Sequence, residues 1–123
     1  MHIHHQPLAP AAPLISFDQF LAVDVRVGRV LTATPVVGAR KPSFRLSIDF
    51  GATIGVKTSA AQITEHYTPE TLVGRMVAAV VNFPPRQIGK VMSEVLTLGF
   101  PDGDGAVVLF APDQDVPLGG RLF

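Results

Sequence analysis

Asn82, Arg86, Lys90, Ser93 and Glu94 fall within one short span, interleaved with Phe83, Pro84, Pro85, Ile88, Val91 and Met92. An amide, two cations, a hydroxyl and a carboxylate in this company suit binding. Glu94 offers Arg86 a carboxylate of matching fork geometry. Proline and aromatic surface can hold an extended peptide, and a methionine adapts to varied side chains. Signs of catalysis are missing. The chain has no cysteine, hence no thiol nucleophile and no thiolate metal site. It has no Gly-x-Ser-x-Gly, no Walker loop and no His-Glu-x-x-His. Asp24 and Glu94 form no recognisable acid–base pair. His2, His4 and His5 cluster near one end without a carboxylate partner, so a solvated tail outweighs a metal site, and His66 reads as an ordinary histidine. Asp102 and Asp104 lack the later ligands of a calcium loop and read as a turn. We therefore expect no catalytic residue, no metal and no cofactor.

The span must be positioned by the strands around it. Met76 to Val81 is an unbroken apolar run rich in Val, the pattern of a strand buried on both faces. Pro84-Pro85 cannot continue a ladder, because proline has no N–H to donate. The expected result is a stiff cationic loop carrying Arg86 and Lys90, with Ser93-Glu94 opening a strand from Val95 to Leu98. Asn82, Arg86, Ser93 and Glu94 would then form one polar network, holding Phe83, Pro85 and Ile88 at the surface of a peptide-binding cleft.

Upstream, Met1 to Ile15 is rich in proline and alanine and is expected to be a flexible arm before a domain spanning residues 16–123. Ser16 and Gln19 form a capping box for a short helix over Phe17–Leu21. Val23 to Thr34 alternates as a strand, with Gly28 marking a bulge or bend. Phe44 to Phe50 alternates strictly, Gly51 to Thr53 turns the chain, and Ile54 to Ser59 completes a hairpin. Ser59 and Gln62 repeat the capping pattern and predict a helix over Ala60–Tyr67, with a further helical turn from Pro69. A last strand covers Val107 to Phe110. Three meandering strands, a helix and closing strands are the order of an OB-fold barrel: all-β with short helices, an N-terminal helix and a C-terminal extension.

With 123 residues, 47% hydrophobic and 16% charged, one domain with a sizeable core is expected. Net charge is zero, and no apolar run reaches membrane-spanning length. We read a soluble, cytoplasmic protein with no membrane insertion. Apolar Phe17, Phe20 and Leu21 near one end and Val116, Leu118, Leu122 and Phe123 at the other exceed what one small barrel can cover, which predicts a homodimer.

Asp24-Val-Arg26-Val-Gly28-Arg29-Val30 resembles the first strand of the tRNA-binding OB-fold domains carried by methionyl- and tyrosyl-tRNA synthetases. Asn82-Phe-Pro84-Pro85-Arg86-Gln-Ile88 followed by Ser93-Glu94 resembles their signature loop. Phe50 to Thr64, Val80 to Arg86 and Ser93 to Leu96 are more similar to the CsaA-type export chaperones; Val95 and Leu96 stand where synthetase appendages usually carry Gly or Ala and then Met. The resemblance implies a non-catalytic cytoplasmic homodimer that binds unfolded or precursor polypeptides and works with the export translocation ATPase. Its peptide-binding residues would be Asn82, Phe83, Pro84, Pro85, Ile88, Met92, Ser93 and Glu94. The alternative is a free-standing tRNA-binding protein. Arg26, Arg29, Arg40, Lys41 and Arg45 occur without an intervening acid. For that reading we assign Arg26, Arg29, Arg45, Lys57, Arg86 and Lys90 as the nucleic-acid face.

Overall fold

The computed structural model describes residues 6–123. His2, His4 and His5 lie outside the described residues. The first element of the described residues is helix α1 (Phe17–Leu21), whose Ser16 cap accepts from the Gln19 amide while the Gln19 side chain accepts from the Ser16 amide. Strand β1 (Val25–Pro35) follows, then β2 (Phe44–Asp49), the helical turn α2 (Gly51–Ile54), β3 (Val56–Ala61), α3 (Pro69–Leu72) and β4 (Met76–Val80). Beyond these come β5 (Arg86–Ile88), β6 (Val91–Ser93), β7 (Leu96–Thr97), β8 (Gly99–Pro101) and β9 (Val107–Leu109).

Five strands form one antiparallel sheet in the order β3-β2-β1-β4-β7, which curls into an OB-fold barrel. Val30, Leu46, Ile48, Phe50, Leu72, Val77 and Ala79 fill its interior. Every residue of β4 is buried, as its apolar run requires, because one face meets the interior and the other a second cluster of Val25, Ala78 and Val80 with Leu98 and Phe110.

Several sequence expectations are corrected. Gly28 marks no bulge; the register of β1 against β2 shifts between Val30 and Thr32. The reason for glycine is close approach, since a Cβ at position 28 would stand 2.5 Å from Ile48 Cγ2 and 2.8 Å from Phe50 Cδ1. No helix covers Ala60–Tyr67. Ser59 lies inside β3 opposite Leu46, fully buried, and its hydroxyl reaches across to Val95 O (3.2 Å) and Thr97 Oγ1 (2.8 Å). The capping pattern at Ser59 is thus overridden by a tertiary partner. Arg86 to Ile88, expected as loop, is strand β5, paired with β6 in a hairpin. Residues 51–54, expected as a simple turn, make one turn of helix.

Barrel closure depends on side chains. The edge of β3 faces the Ser93–Thr97 segment without a regular ladder. Glu94 N–H donates to Thr58 O (2.8 Å), Glu94 Oε1 accepts from the Thr58 amide (3.0 Å), and Ser93 Oγ accepts from the Ala60 amide (3.0 Å). These side chains meet the backbone donors that an absent strand would otherwise satisfy.

Candidate polypeptide and nucleic-acid site

The β5–β6 hairpin is set by its ends. Pro84-Pro85 ends the path from β4, and Gly89 makes the reversal at φ +58°. Lys90 N–H donates to Val37 O (3.2 Å), and a Cβ on Gly89 would stand 2.8 Å from Ala39 N and Val37 O. The turn is therefore pinned to the β1–β2 loop. Ser93 falls opposite Arg86 and Val91 opposite Ile88, while Gln87 and Met92 occupy the other, exposed face.

Three recesses surround this hairpin. One, of about 270 Å³, is walled by Phe83, Pro84, Ile88, Val95 and Leu96, with Arg86 and Glu94 as its charged members. Phe83 is 50% exposed at its mouth. A second, of about 550 Å³, is bounded by Arg40, Lys41, Ser43, Gln62, Arg86 and Ile88 with the hairpin turn. It has three cations and no acidic lining residue. A third, of about 680 Å³, lies on the Met92 side with Pro85, Arg45, Lys90, Thr58 and Glu94.

The expected peptide-binding set is thereby divided. Phe83, Pro84, Ile88, Ser93 and Glu94 meet in the apolar recess, and Pro85 and Met92 face the third. Asn82 belongs to neither: its Oδ1 accepts from the Asp24 amide (3.0 Å) and its Nδ2 donates to Ala22 O (2.8 Å). It joins the end of β4 to the entry of β1. The four-residue polar network does not form, because Glu94 is turned toward the Thr58 amide and makes no ion pair with Arg86. Ser93 is buried with its hydroxyl engaged by Ala60 N–H and Val95 O, so it supports the wall from behind.

The expected cationic face is divided as well. Arg26 is held by Asp24 (2.6 Å) and donates to Gly119 O (3.1 Å). Arg29 donates to Gly74 O (2.8 Å) and stands 3.7 Å from Asp115. Arg45 and Lys90 share the third recess with Glu94, and Lys57 lies on edge strand β3 opposite Ile48. Only Arg86 of that set enters the strongly cationic recess, where it meets Arg40 and Lys41. Those two belong to the basic segment of the sequence but not to the expected nucleic-acid face. Their signal was an adjacent pair of cations in a loop bounded by Gly38 and Pro42.

A fourth recess, of about 360 Å³, lies on the outer face of the barrel between Val25, Val27, Ala78, Phe110, Val116 and Leu122. The C-terminal segment forms its rim by backbone bonds from Gly119 and Leu122 to Val27 and Val25 (both 2.9 Å). Phe123 beside it is fully exposed. Arg121 pairs with Asp24 (3.4 Å) and donates to Leu21 O, placing the end of α1 next to this rim.

One titratable link lies away from these recesses. His66 Nε2 and Asp102 Oδ2 are 2.6 Å apart, joining the loop after β3 to the β8–β9 turn. That hydrogen bond, helped by the Asp104 and Ala106 amides, holds the Asp102 carboxyl below its ordinary value. Among the described residues no cluster of three His, Cys, Asp or Glu side chains could hold a metal ion, and no helix is long and apolar enough to cross a membrane.

Residues 25–121 match the family described as Putative tRNA binding domain. The CsaA chaperone of Bacillus anthracis is 44% identical, over 90% of this chain and 100% of that one, with a TM-score of 0.84. The CsaA chaperone of Picrophilus torridus is 43% identical, over 89% and 100%, with a TM-score of 0.83. The methionine–tRNA ligase of Porphyromonas gingivalis is 39% identical over 114 residues, 93% of this chain but only 16% of the ligase, so the likeness is to one part of that enzyme. The chain belongs to the tRNA-binding domain family, with CsaA chaperones among its near structural relatives.

Proposed function

We propose that this chain is a non-catalytic, homodimeric chaperone that holds unfolded or export-bound polypeptide in the recess beneath Phe83. The observation that carries the reading is the recess itself. Phe83, Pro84, Ile88, Val95 and Leu96 present apolar surface on and beside a hairpin held by the Lys90–Val37 and Glu94–Thr58 backbone bonds, so little order must be gained on binding. Likeness to CsaA chaperones along most of the chain supports it. The second copy docks on the outer face, where the Val25–Leu122 recess, exposed Phe123 and the largely exposed helix α1 make one apolar surface. In this reading the protein acts in the cytoplasm before translocation, and the export translocation ATPase is the partner to test.

The family match and the Arg40, Lys41 and Arg86 cluster favour tRNA as the second reading. One pair of assays separates them: suppression of aggregation of a chemically unfolded client, and tRNA binding across a salt series. A chaperone suppresses aggregation and loses that ability in Phe83→Asp. A tRNA site using about three phosphates instead shows log affinity falling against log salt with a slope of roughly −2 to −3. Failure to protect the client, beside such a slope, would reverse the order of the two readings.

A further inference from the structure

We propose that the site takes its client as a strand added to the free edge of β5, and selects chains in which an apolar side chain and a carboxylate stand two residues apart. The proposal rests on reading the Phe83 recess as a polypeptide site. Strand β5 pairs with β6 alone. The two-residue reversal at Gly89-Lys90 makes Ile88 and Val91 the hydrogen-bonded pair, so Gln87 and Met92 are a non-bonded pair. The backbone N–H and C=O of Gln87 therefore point away from β6, toward the open edge. An extended peptide laid there gains main-chain hydrogen bonds from this residue.

The two recesses explain what such a strand would carry. Both include Arg86 and Ile88, which share one face of β5. Toward Pro84 the surface is apolar; toward the turn it is cationic, with Arg40 and Lys41. Side chains at i and i+2 of a strand leave the same face, spaced by roughly 7 Å. One can enter each recess. Among the described residues Arg40, Lys41 and Arg86 make no ion pair, so an incoming carboxylate meets cations that need not leave another partner. A nucleic-acid strand fits less well: Glu94 lies in the apolar recess, and Phe83 is its one aromatic platform.

The test uses fluorescent peptides of identical composition, one containing Leu-x-Asp or Asp-x-Leu, the other Leu-Asp with no spacer, and a neutral Leu peptide, read by anisotropy at physiological salt. One of the spaced peptides should bind at least tenfold tighter than the adjacent one. A single N-methyl group placed in turn on its three central amides should cost at least fivefold at one position. The double variant Arg40→Glu, Lys41→Glu, checked for native circular dichroism, should lose the spacing preference and keep the neutral peptide. Equal affinity for spaced and adjacent peptides, or indifference to all three N-methyl groups, overturns the added strand while leaving the recess reading standing. No binding of any peptide removes both. RNA oligonucleotide binding that exceeds peptide binding and disappears in the double variant also overturns the proposal, making the cationic recess a phosphate site.

Discussion

Replacing Glu94 tests how the barrel is closed. In Glu94→Ala the Thr58 amide loses its acceptor, while the Glu94 backbone bond to Thr58 O is kept. A buried donor left unpaired costs about 1–3 kcal/mol, and the half-buried position of Thr58 places the effect in the lower half of that range. Ser93→Ala strips the Ala60 amide of its acceptor by the same logic, from a hydroxyl that is itself buried, and should cost about 1–3 kcal/mol. For a domain near this size each kcal/mol lowers Tm by roughly 3–6 °C. Because both bonds hold the same edge of β3, the double variant should depart from additivity by about 0.5 kcal/mol or more. Glu94→Gln keeps a carbonyl acceptor and should recover most of the loss. The assay is urea unfolding at fixed protomer concentration, since the proposed dimerisation would shift apparent stability. A Glu94→Ala variant as stable as wild type would refute this account of closure. Equal loss in Glu94→Gln and Glu94→Ala would show that charge matters there, and not the hydrogen bond.

Gly28→Ala should cost at least about 1–3 kcal/mol, because the new methyl must displace Ile48 and Phe50; an unchanged melting curve would contradict the close packing. Phe123→Asp should convert a dimer into a monomer at micromolar concentration by light scattering, and a monomeric wild type would defeat the proposed interface, which needs at least about 1,000 Å². By NMR titration the Asp102 midpoint should lie below its ordinary 3.8 and rise toward it in His66→Ala. Since the folded value is depressed, this link contributes fully above the ordinary carboxylate range and fades as pH falls through the lowered value; a midpoint unmoved by His66→Ala would refute the cause given.

Elements decided by local physics follow the local sequence. The Ser16 and Gln19 capping box, the buried run of β4 and the β2–β3 hairpin are present as the residues imply. The helix expected after Ser59 failed because its hydroxyl found Val95 and Thr97, far along the chain. Pro84-Pro85 implies a loop continuing through Arg86–Ile88, but the Gly89-Lys90 reversal folds these residues back as a hairpin strand. The site was legible as a neighbourhood and not as a set of partners. Phe83, Pro84, Ile88 and Glu94 do converge, but Asn82 and Glu94 are turned to backbone amides just before β1 and on β3, pairings that the tertiary fold determines. Nor does sequence show that Val25 and Val27 face outward; alternation gives two faces without saying which is inside.

The central claim is that unfolded polypeptide sits in the recess beneath Phe83. A photo-reactive amino acid at Leu96, which lines that recess, should cross-link a denatured client, and Phe83→Asp should suppress the product; the same probe at exposed Val73, outside all four recesses, should give little. Equal cross-linking from both positions, or a Leu96 product untouched by Phe83→Asp, would contradict the account.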